Sequence, residues 1–281
     1  SGMVSFNPNN GALLALVGGF DFQSSKFNRA VQGGRQAGSS FKPFIYSAAL
    51  DKGMTPATVI NDAPVVFEDS SLESTWRPEN SGGRFYGPTR LRQALYKSRN
   101  LVSIRVLRQI GVRHTIQYAE KFGFDPAKLP NNLSLALGSA ALTPWEIASA
   151  YSVLANGGYK LEPWYIERIE NNDGDTLFEA NPMVICDDAC EQQRAEEQAR
   201  EAQLAAESAA DESDELAFSD LLAQEATQPE AAADTEDNTE EKPIRYAERV
   251  QDERINFLIT SMMQDVIKRG TGVKARALNR S

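Results

Sequence analysis

The sequence predicts an α/β fold, and three observations predict it. Gly11-Ala12-Leu13-Leu14-Ala15-Leu16-Val17-Gly18-Gly19 is a continuous apolar run bounded by Asn and Gly, the pattern of a buried strand. Five longer stretches (40–52, 91–110, 114–122, 142–154 and 254–268) carry helical spacing or helix start and stop signals. Between 165–170 and 175–179, Asn172-Asp173-Gly174 is a β-hairpin signal.

The elements follow in order. Residues 33–38 are loop-like, and the helix over 40–52 places Phe41, Phe44, Ile45, Ala48 and Ala49 on one face. Residues 54–90 are rich in Pro, Gly, Asn and Ser and are expected to be irregular; so long a loop-rich stretch inside a compact domain points to function. Gly111 separates the helices over 91–110 and 114–122. Thr143-Pro144 starts the next helix and Asn156-Gly157-Gly158 stops it, while Gly270 and Gly272 stop the last.

Charge divides the chain further. The formal net charge is −10, but residues 191–242 hold 17 Asp and Glu against 3 Lys and Arg, which leaves the remainder at +4. Residues 184–243 are dominated by Ala, Glu, Gln, Asp, Ser and Thr, too little apolar surface to offset chain entropy. A disordered insertion is therefore expected there, with transient helix around 192–206. The folded part is expected as 4–183 and 244–281.

Composition excludes several function classes. No basic stretch interleaves with aromatics, which argues against nucleic acid as a partner. The longest apolar run, 12–20, holds two glycines and is too short to span a bilayer. Ser1-Gly2-Met3 resembles a cloning remnant, so any targeting segment is expected outside this piece. Two cysteines and one histidine are too few for a Cys/His metal site, and neither metal nor cofactor is expected. His114, the one histidine, sits in a helix-start context as a solvated residue, so a serine nucleophile here needs another kind of base.

Ser39-Ser40-Phe41-Lys42 offers one. Positions i and i+3 share a helix face, so Lys42 can reach the Ser39 hydroxyl. At a helix start, free N–H groups and the dipole favour an alkoxide or a tetrahedral oxyanion. A buried lysine loses pKa and can act as a base. The tetrad alone fits an N-cap serine and a snorkelling lysine better than a catalytic pair. Ser98-Arg99-Asn100, 59 residues downstream, supplies a hydroxyl that can pass a proton and a carboxamide that can hydrogen-bond a peptide carbonyl. Read blandly, the same triplet is a helix C-cap.

Ser39-x-x-Lys42 with Ser98-x-Asn100 resembles the first two motifs of serine penicillin-binding proteins and β-lactamases; the central residue, often Asp there, is Arg99 here. The flanks Asn28-Arg29-Ala30, Arg35 to Pro43, Trp76-Arg77-Pro78-Glu79-Asn80, Leu91-Arg92-Gln93-Ala94-Leu95, Leu135-Ala136-Leu137-Gly138 and Ala155-Asn156-Gly157-Gly158 are similar to class A penicillin-binding protein transpeptidase domains. The resemblance covers about 4–182 and 245–281. It implies a penicillin-recognising serine transferase fold, an antiparallel sheet with a helical subdomain and the active serine between them. It implies a peptidoglycan D,D-transpeptidase that binds β-lactam antibiotics, with stem peptides as substrates. Ser39 would be the nucleophile, Lys42 the base and Ser98 the proton relay, with Asn100, Trp76 and Tyr86 toward the substrate. A periplasmic setting follows, with the membrane anchor outside this chain and cell-wall synthesis proteins as partners. The family's third motif, Lys-Thr-Gly, is absent from the sequence, so the C-terminal strands of that sheet are expected to be missing and activity impaired. A D,D-carboxypeptidase, a β-lactamase and a penicillin-binding sensor without turnover are the alternatives. In an extracytoplasmic setting Cys186 and Cys190 are open to two states, a small disulfide or two free thiols.

Overall fold

The structure, a computed structural model, describes residues 2–66, 76–186 and 243–278, together with 190, 192, 193, 195, 196, 199, 200, 202 and 203. The chain forms two compact units, Ser1–Val184 with Ala247–Ser281, and Ile185–Tyr246. The first holds β1 (Met3–Phe6), β2 (Leu13–Val17), β3 (Arg35–Gln36), α1 (Lys42–Asp51), β4 (Val59–Asp62), β5 (Gly87–Arg90), α2 (Leu91–Tyr96), α3 (Asn100–Ile110) and α4 (Val112–Glu120). It continues with β6 (Ala141–Leu142), α5 (Pro144–Ala155), β7 (Tyr159–Lys160), β8 (Arg168–Glu170), β9 (Thr176–Glu179), β10 (Glu248–Arg249) and α6 (Glu253–Arg269). In the second unit the described residues from 190 to 203 are helical, and Cys186 is joined to Cys190 by a disulfide. The disorder expected for 184–243 falls mostly outside the described residues.

Helix α1 is the centre of the first unit. Every residue from Lys42 to Leu50 is buried, which for a helix means neighbours on all sides. Helices α3, α4 and α6 pack around it. An aromatic cluster locks its N-terminal end: the Phe44 ring centroid lies 4.9 Å from Phe124, 5.1 Å from Phe122 and 5.4 Å from Tyr151, and Phe41 lies 5.3 Å from Phe124. Burying each such ring stabilises the fold by about 1.5–3 kcal/mol. The helix carrying the candidate nucleophile tetrad is therefore among the least movable parts of the unit.

Among the described residues the strands pair as five two-stranded antiparallel ladders: β1 with β2, β3 with β6, β4 with β5, β7 with β10 and β8 with β9. Helix α5 begins on a complete capping box: the Thr143 hydroxyl accepts from Glu146 N–H at 3.1 Å, and the Glu146 carboxylate accepts from Thr143 N–H at 2.7 Å. Helix α6 is capped by the Asp252 carboxylate on the N–H groups of Arg254 and Ile255.

Three expectations need correction. The apolar run over 11–19 forms β2, but not as a buried strand: Leu14 is 64% exposed and Val17 45%. An apolar run implies burial on both faces only when both faces are covered; among the described residues β1 is the one strand paired with β2, which Trp164 touches only at its start. The irregular stretch 54–90 contains a ladder, with Val59 opposite Arg90 and Asp62 opposite Gly87. No local pattern announces it, because its strands are separated by a long connection. The helix expected over 91–110 is two helices, broken where Ser98 takes φ 54°, the one non-glycine residue with positive φ among the described residues.

A close backbone approach sets the turn before α1. Gly38 N–H donates to the Gly138 carbonyl at 2.9 Å and Ala37 N–H to the Ala140 carbonyl at 3.0 Å. Gly138 is left-handed at φ 69°, and a Cβ there would collide with the Gly38 carbonyl oxygen. Gly138→Ala should therefore destabilise the unit by about 2 kcal/mol or more, since the left-handed conformation alone costs about 1–2 kcal/mol per non-glycine residue. For a chain of this size that lowers the melting temperature by about 4–8 °C. Thermal unfolding checks it, and an unchanged midpoint would mean that the turn yields freely.

Candidate active site

Ser39 lies in a 3-10 turn, Gly38–Phe41, that runs directly into α1. The two serines of the tetrad have different surroundings. The Ser40 hydroxyl turns back to donate to the Ala37 carbonyl at 2.6 Å, while the Ser40 carbonyl accepts from Tyr151 Oη at 2.8 Å. The Ser39 hydroxyl instead meets Ser98 Oγ at 2.8 Å. Ser40 is a structural part of the turn, and Ser39 is the serine presented to the other motif.

Lys42, the first residue of α1, is 1% exposed. Its Nζ donates to Asn100 Oδ1 at 2.8 Å and to both the carbonyl and Oγ of Ser98, each at 3.0 Å. The i, i+3 spacing predicts contact between Lys42 and Ser39; the structure places Ser98 Oγ between them, so the link runs Lys42 Nζ, Ser98 Oγ, Ser39 Oγ. Burial lowers the Lys42 pKa to about 8 because water no longer solvates the ammonium. A hydroxyl both donates and accepts, so the chain reverses when the amine is neutral: Ser39 donates to Ser98 and Ser98 to Lys42. In that direction the three groups can take a proton from Ser39.

The backbone brings Ser98 there at some strain. Helix α2 ends with Lys97 N–H on the Gln93 carbonyl at 3.0 Å, and Ser98 and Arg99 N–H close back on Leu95 and Ala94. Ser98 then turns left-handed, which costs about 1–2 kcal/mol and is recovered through its two bonds from Lys42. Arg99 extends over the Tyr86 ring, its guanidinium carbon 3.3 Å from the centroid, with Nε 3.9 Å from the Asp62 carboxylate. Asn100 opens α3; its amide donates to the Glu79 carbonyl at 2.9 Å.

The structure thus brings Ser39, Lys42, Ser98 and Asn100 together. The residues expected to face substrate all have intramolecular engagements: Asn100 holds Lys42 and Glu79, Tyr86 carries Arg99, and Trp76 packs partly buried against the hydrophobic core. Sequence reasoning missed Asp62, and it placed Asn80 only on the loop that carries Trp76 and Tyr86; both lie buried behind the second motif. Asn80 was visible as the end of Trp76-Arg77-Pro78-Glu79-Asn80, whereas nothing in the local pattern marks Asp62. Among the described residues no group of His, Cys, Asp and Glu could hold a metal ion.

Comparison with known proteins bears on this arrangement. The family model described as the penicillin binding protein transpeptidase domain matches residues 2–280. The chain is 51% identical over 285 residues to penicillin-binding protein 1A of Pseudomonas aeruginosa, covering 100% of this chain and 33% of that protein. It is 51% identical over 186 residues to penicillin-binding protein 1A of Escherichia coli, covering 66% of this chain and 22% of that protein. The chain thus spans a third or less of the length of these relatives. Among solved structures, penicillin-binding protein 1A from Haemophilus influenzae superposes with a TM-score of 0.76 at 35% identity, over 98% of this chain and 37% of that one. The PonA1 protein from Mycobacterium tuberculosis in complex with penicillin V gives 0.56 at 27% identity, over 63% of this chain and 49% of that one.

The lysine makes a measurable prediction. By ¹⁵N NMR, Lys42 Nζ should titrate near pH 8 rather than near 10.5. The folded pKa lies below the unfolded one, so between those values the unfolded chain holds the extra proton and stability rises with pH. The burden on the folded state below pH 8 is roughly 3 kcal/mol, at 1.36 kcal/mol per pKa unit. Above about pH 10 the effect is opposed by buried Tyr46, Tyr118 and Tyr151, whose pKa values are raised by burial. A Lys42 midpoint above pH 10 would mean that water reaches the amine.

Proposed function

The chain belongs to the penicillin-binding protein transpeptidase domain family, and from that premise we propose that it is the acyl-transfer part of a peptidoglycan D,D-transpeptidase with Ser39 as nucleophile. The observation that carries the reading is the hydrogen-bonded chain from Lys42 through Ser98 to Ser39, anchored on a buried helix.

The steps follow from the roles. Neutral Lys42 takes the Ser39 proton through Ser98, and Ser39 Oγ attacks the carbonyl of the terminal D-Ala-D-Ala bond of a stem peptide. The Ser39 N–H, at the start of a helical turn, is suited to receive the developing oxyanion. Collapse breaks the C–N bond, and the D-Ala amine leaves with the proton held by Lys42 and Ser98. The acyl-serine ester then passes to an amine of a neighbouring strand, whose proton returns by the same route. A β-lactam enters at the first step: its strained amide opens on Ser39, and the ester persists. The penicillin V complex of PonA1, at 27% identity, supports the β-lactam reading. Asn100 holds Lys42 in the resting site, and its amide turns to substrate only by exchanging one of its two present bonds. A periplasmic setting is part of the proposal; the Cys186–Cys190 disulfide suits an oxidising compartment. Among the described residues no helix is long and apolar enough to cross a membrane.

The 281 residues contain no Lys-Thr-Gly triplet, the family's usual third motif. We propose that the chain by itself is slow, since loss of one oxyanion donor costs about 10²–10³ in rate in other acyl-transfer enzymes. One assay covers both points: a stem-peptide donor and an acceptor amine are given to this chain and to a form extended through a Lys-Thr-Gly segment. Crosslinked product from the extended form, at least about 10²-fold faster than from this chain, is the expected result. Released D-Ala alone would make it a carboxypeptidase, hydrolysed β-lactam a β-lactamase, and a stable adduct without turnover a sensor. Equal rates would contradict the proposed slowness.

A further inference from the structure

We propose that the buried pair Asp62–Asn80 is the positioning element of this site: it fixes the Ser98-Arg99-Asn100 segment by two arms and, through Asn100, the place of the Lys42 amine. The inference rests on the reading of Ser39 and Lys42 given above.

Asp62, the last residue of β4, is fully buried. One carboxylate oxygen accepts from Asn80 Nδ2 at 2.7 Å. The other faces Arg99 Nε at 3.9 Å; among the described residues neither of these two atoms has a hydrogen-bond partner, so the ion pair is what compensates each. A buried carboxylate is tolerable only when paired and hydrogen-bonded. Asp62 thus commits its two oxygens to the two residues that decide where the second motif lies. Its backbone takes part as well, the Asp62 carbonyl accepting from Tyr86 N–H at 3.2 Å and so placing the ring beneath Arg99.

Asn80, 5% exposed, uses both ends of its amide. Nδ2 donates to Asp62 and to the Arg84 carbonyl at 2.9 Å. Oδ1 accepts from Asn100 N–H at 2.9 Å and from Leu101 N–H at 3.4 Å, the open donors at the first turn of α3. Two donors and an acceptor with two lone pairs are all engaged, which only a carboxamide achieves at that position. The α3 N-terminus is thereby tied to the end of β4, and Asn100 presents Oδ1 to Lys42 from that fixed start. The second arm acts on Arg99, the residue between Ser98 and Asn100. Held between the Asp62 carboxylate and the Tyr86 ring, it keeps Ser98 in its left-handed conformation with its carbonyl and hydroxyl aimed at Lys42. Asp62 and Asn80 touch neither Ser39 nor Lys42, so they are positioning residues.

The test exchanges donor and acceptor. Asn80→Asp sets two carboxylates against each other; adding Asp62→Asn restores one donor facing one acceptor and keeps an acceptor at α3. Acylation by a labelled β-lactam is measured in the form extended through a Lys-Thr-Gly segment, at several label concentrations, to separate the acylation rate constant from non-covalent affinity. Asn80→Asp should slow acylation about 100-fold, the scale on which displacement of a catalytic group by about 1 Å costs rate, with affinity changed by less than about twofold. The double exchange should recover at least about tenfold of that loss. A purely structural role predicts loss of folded protein with the normal rate constant in the folded fraction, which active-site titration reads. An Asn80→Asp rate constant within threefold of the parent, or a double exchange no faster than Asn80→Asp, would overturn the inference. If Asn80→Asp does not fold, Asp62→Asn alone decides: a tenfold slower rate constant at unchanged affinity supports the pair, an unchanged one refutes it. Ser39→Ala is run alongside. Label retained there refutes the nucleophile assignment and this inference with it; label lost there, with Asn80→Asp unaffected, refutes the inference alone.

Discussion

The Lys42 amine sits at the start of a helix buried on every side, and three oxygens from one short segment hold it. Most of the site follows from keeping that amine out of water. Desolvation lowers the lysine pKa to about 8, but it also means that each Nζ hydrogen needs an internal acceptor. Ser98 supplies two acceptors only by taking a left-handed turn, and Asn100 supplies the third only from the first turn of α3. The break between α2 and α3 is thus part of the solution to burying a lysine. The proposed nucleophile, Ser39, stands one hydroxyl beyond, at a turn whose shape depends on two glycine backbones meeting at Gly38 and Gly138.

The support extends to α6. Thr271 N–H donates to the Tyr96 carbonyl at 3.1 Å, Lys97 Nζ donates to the Arg269 carbonyl at 3.0 Å, and Arg92 pairs with Asp265 at 3.0 Å. Gly270 passes so close to the Tyr96 carbonyl that no side chain fits there. The end of α6 is thereby fastened to the end of α2, two residues before Ser98. The second motif is held on both sides: α6 fixes its approach, and the Asp62–Asn80 pair receives its exit.

How much of this was legible depends on where each determinant lies. Spacing put Ser39 and Lys42 close together on one helical stretch, but only the second motif and the flanking matches raised the tetrad above a helix cap. The helix start at Thr143-Pro144 and the hairpin at Asn172-Asp173-Gly174 are local too, and both stand where the pattern puts them. The break at Ser98 was only half legible: the triplet read as a helix C-cap, yet the stretch around it read as one helix. Leu91 to Ile110 has no Gly or Pro, and the left-handed residue is stabilised by Lys42, 56 positions away. Direct contact of Lys42 with Ser39 was a reasonable expectation from a regular helix. The amine's hydrogen bonds go instead to a segment that no helical periodicity could place beside it. Asp62 is the extreme case, a carboxylate closing an unremarkable strand whose importance comes entirely from residues 18 and 37 positions further on.

The central claim is that Ser39, joined through Ser98 to a neutral Lys42, is the residue that becomes acylated. The most direct measurement is peptide mass mapping after reaction with a β-lactam, with fragmentation that separates Ser39 from its neighbour Ser40. The account predicts an adduct on Ser39 and none on Ser40, whose hydroxyl is engaged by the Ala37 carbonyl. An adduct on Ser40, or on a serine outside the tetrad, would contradict it.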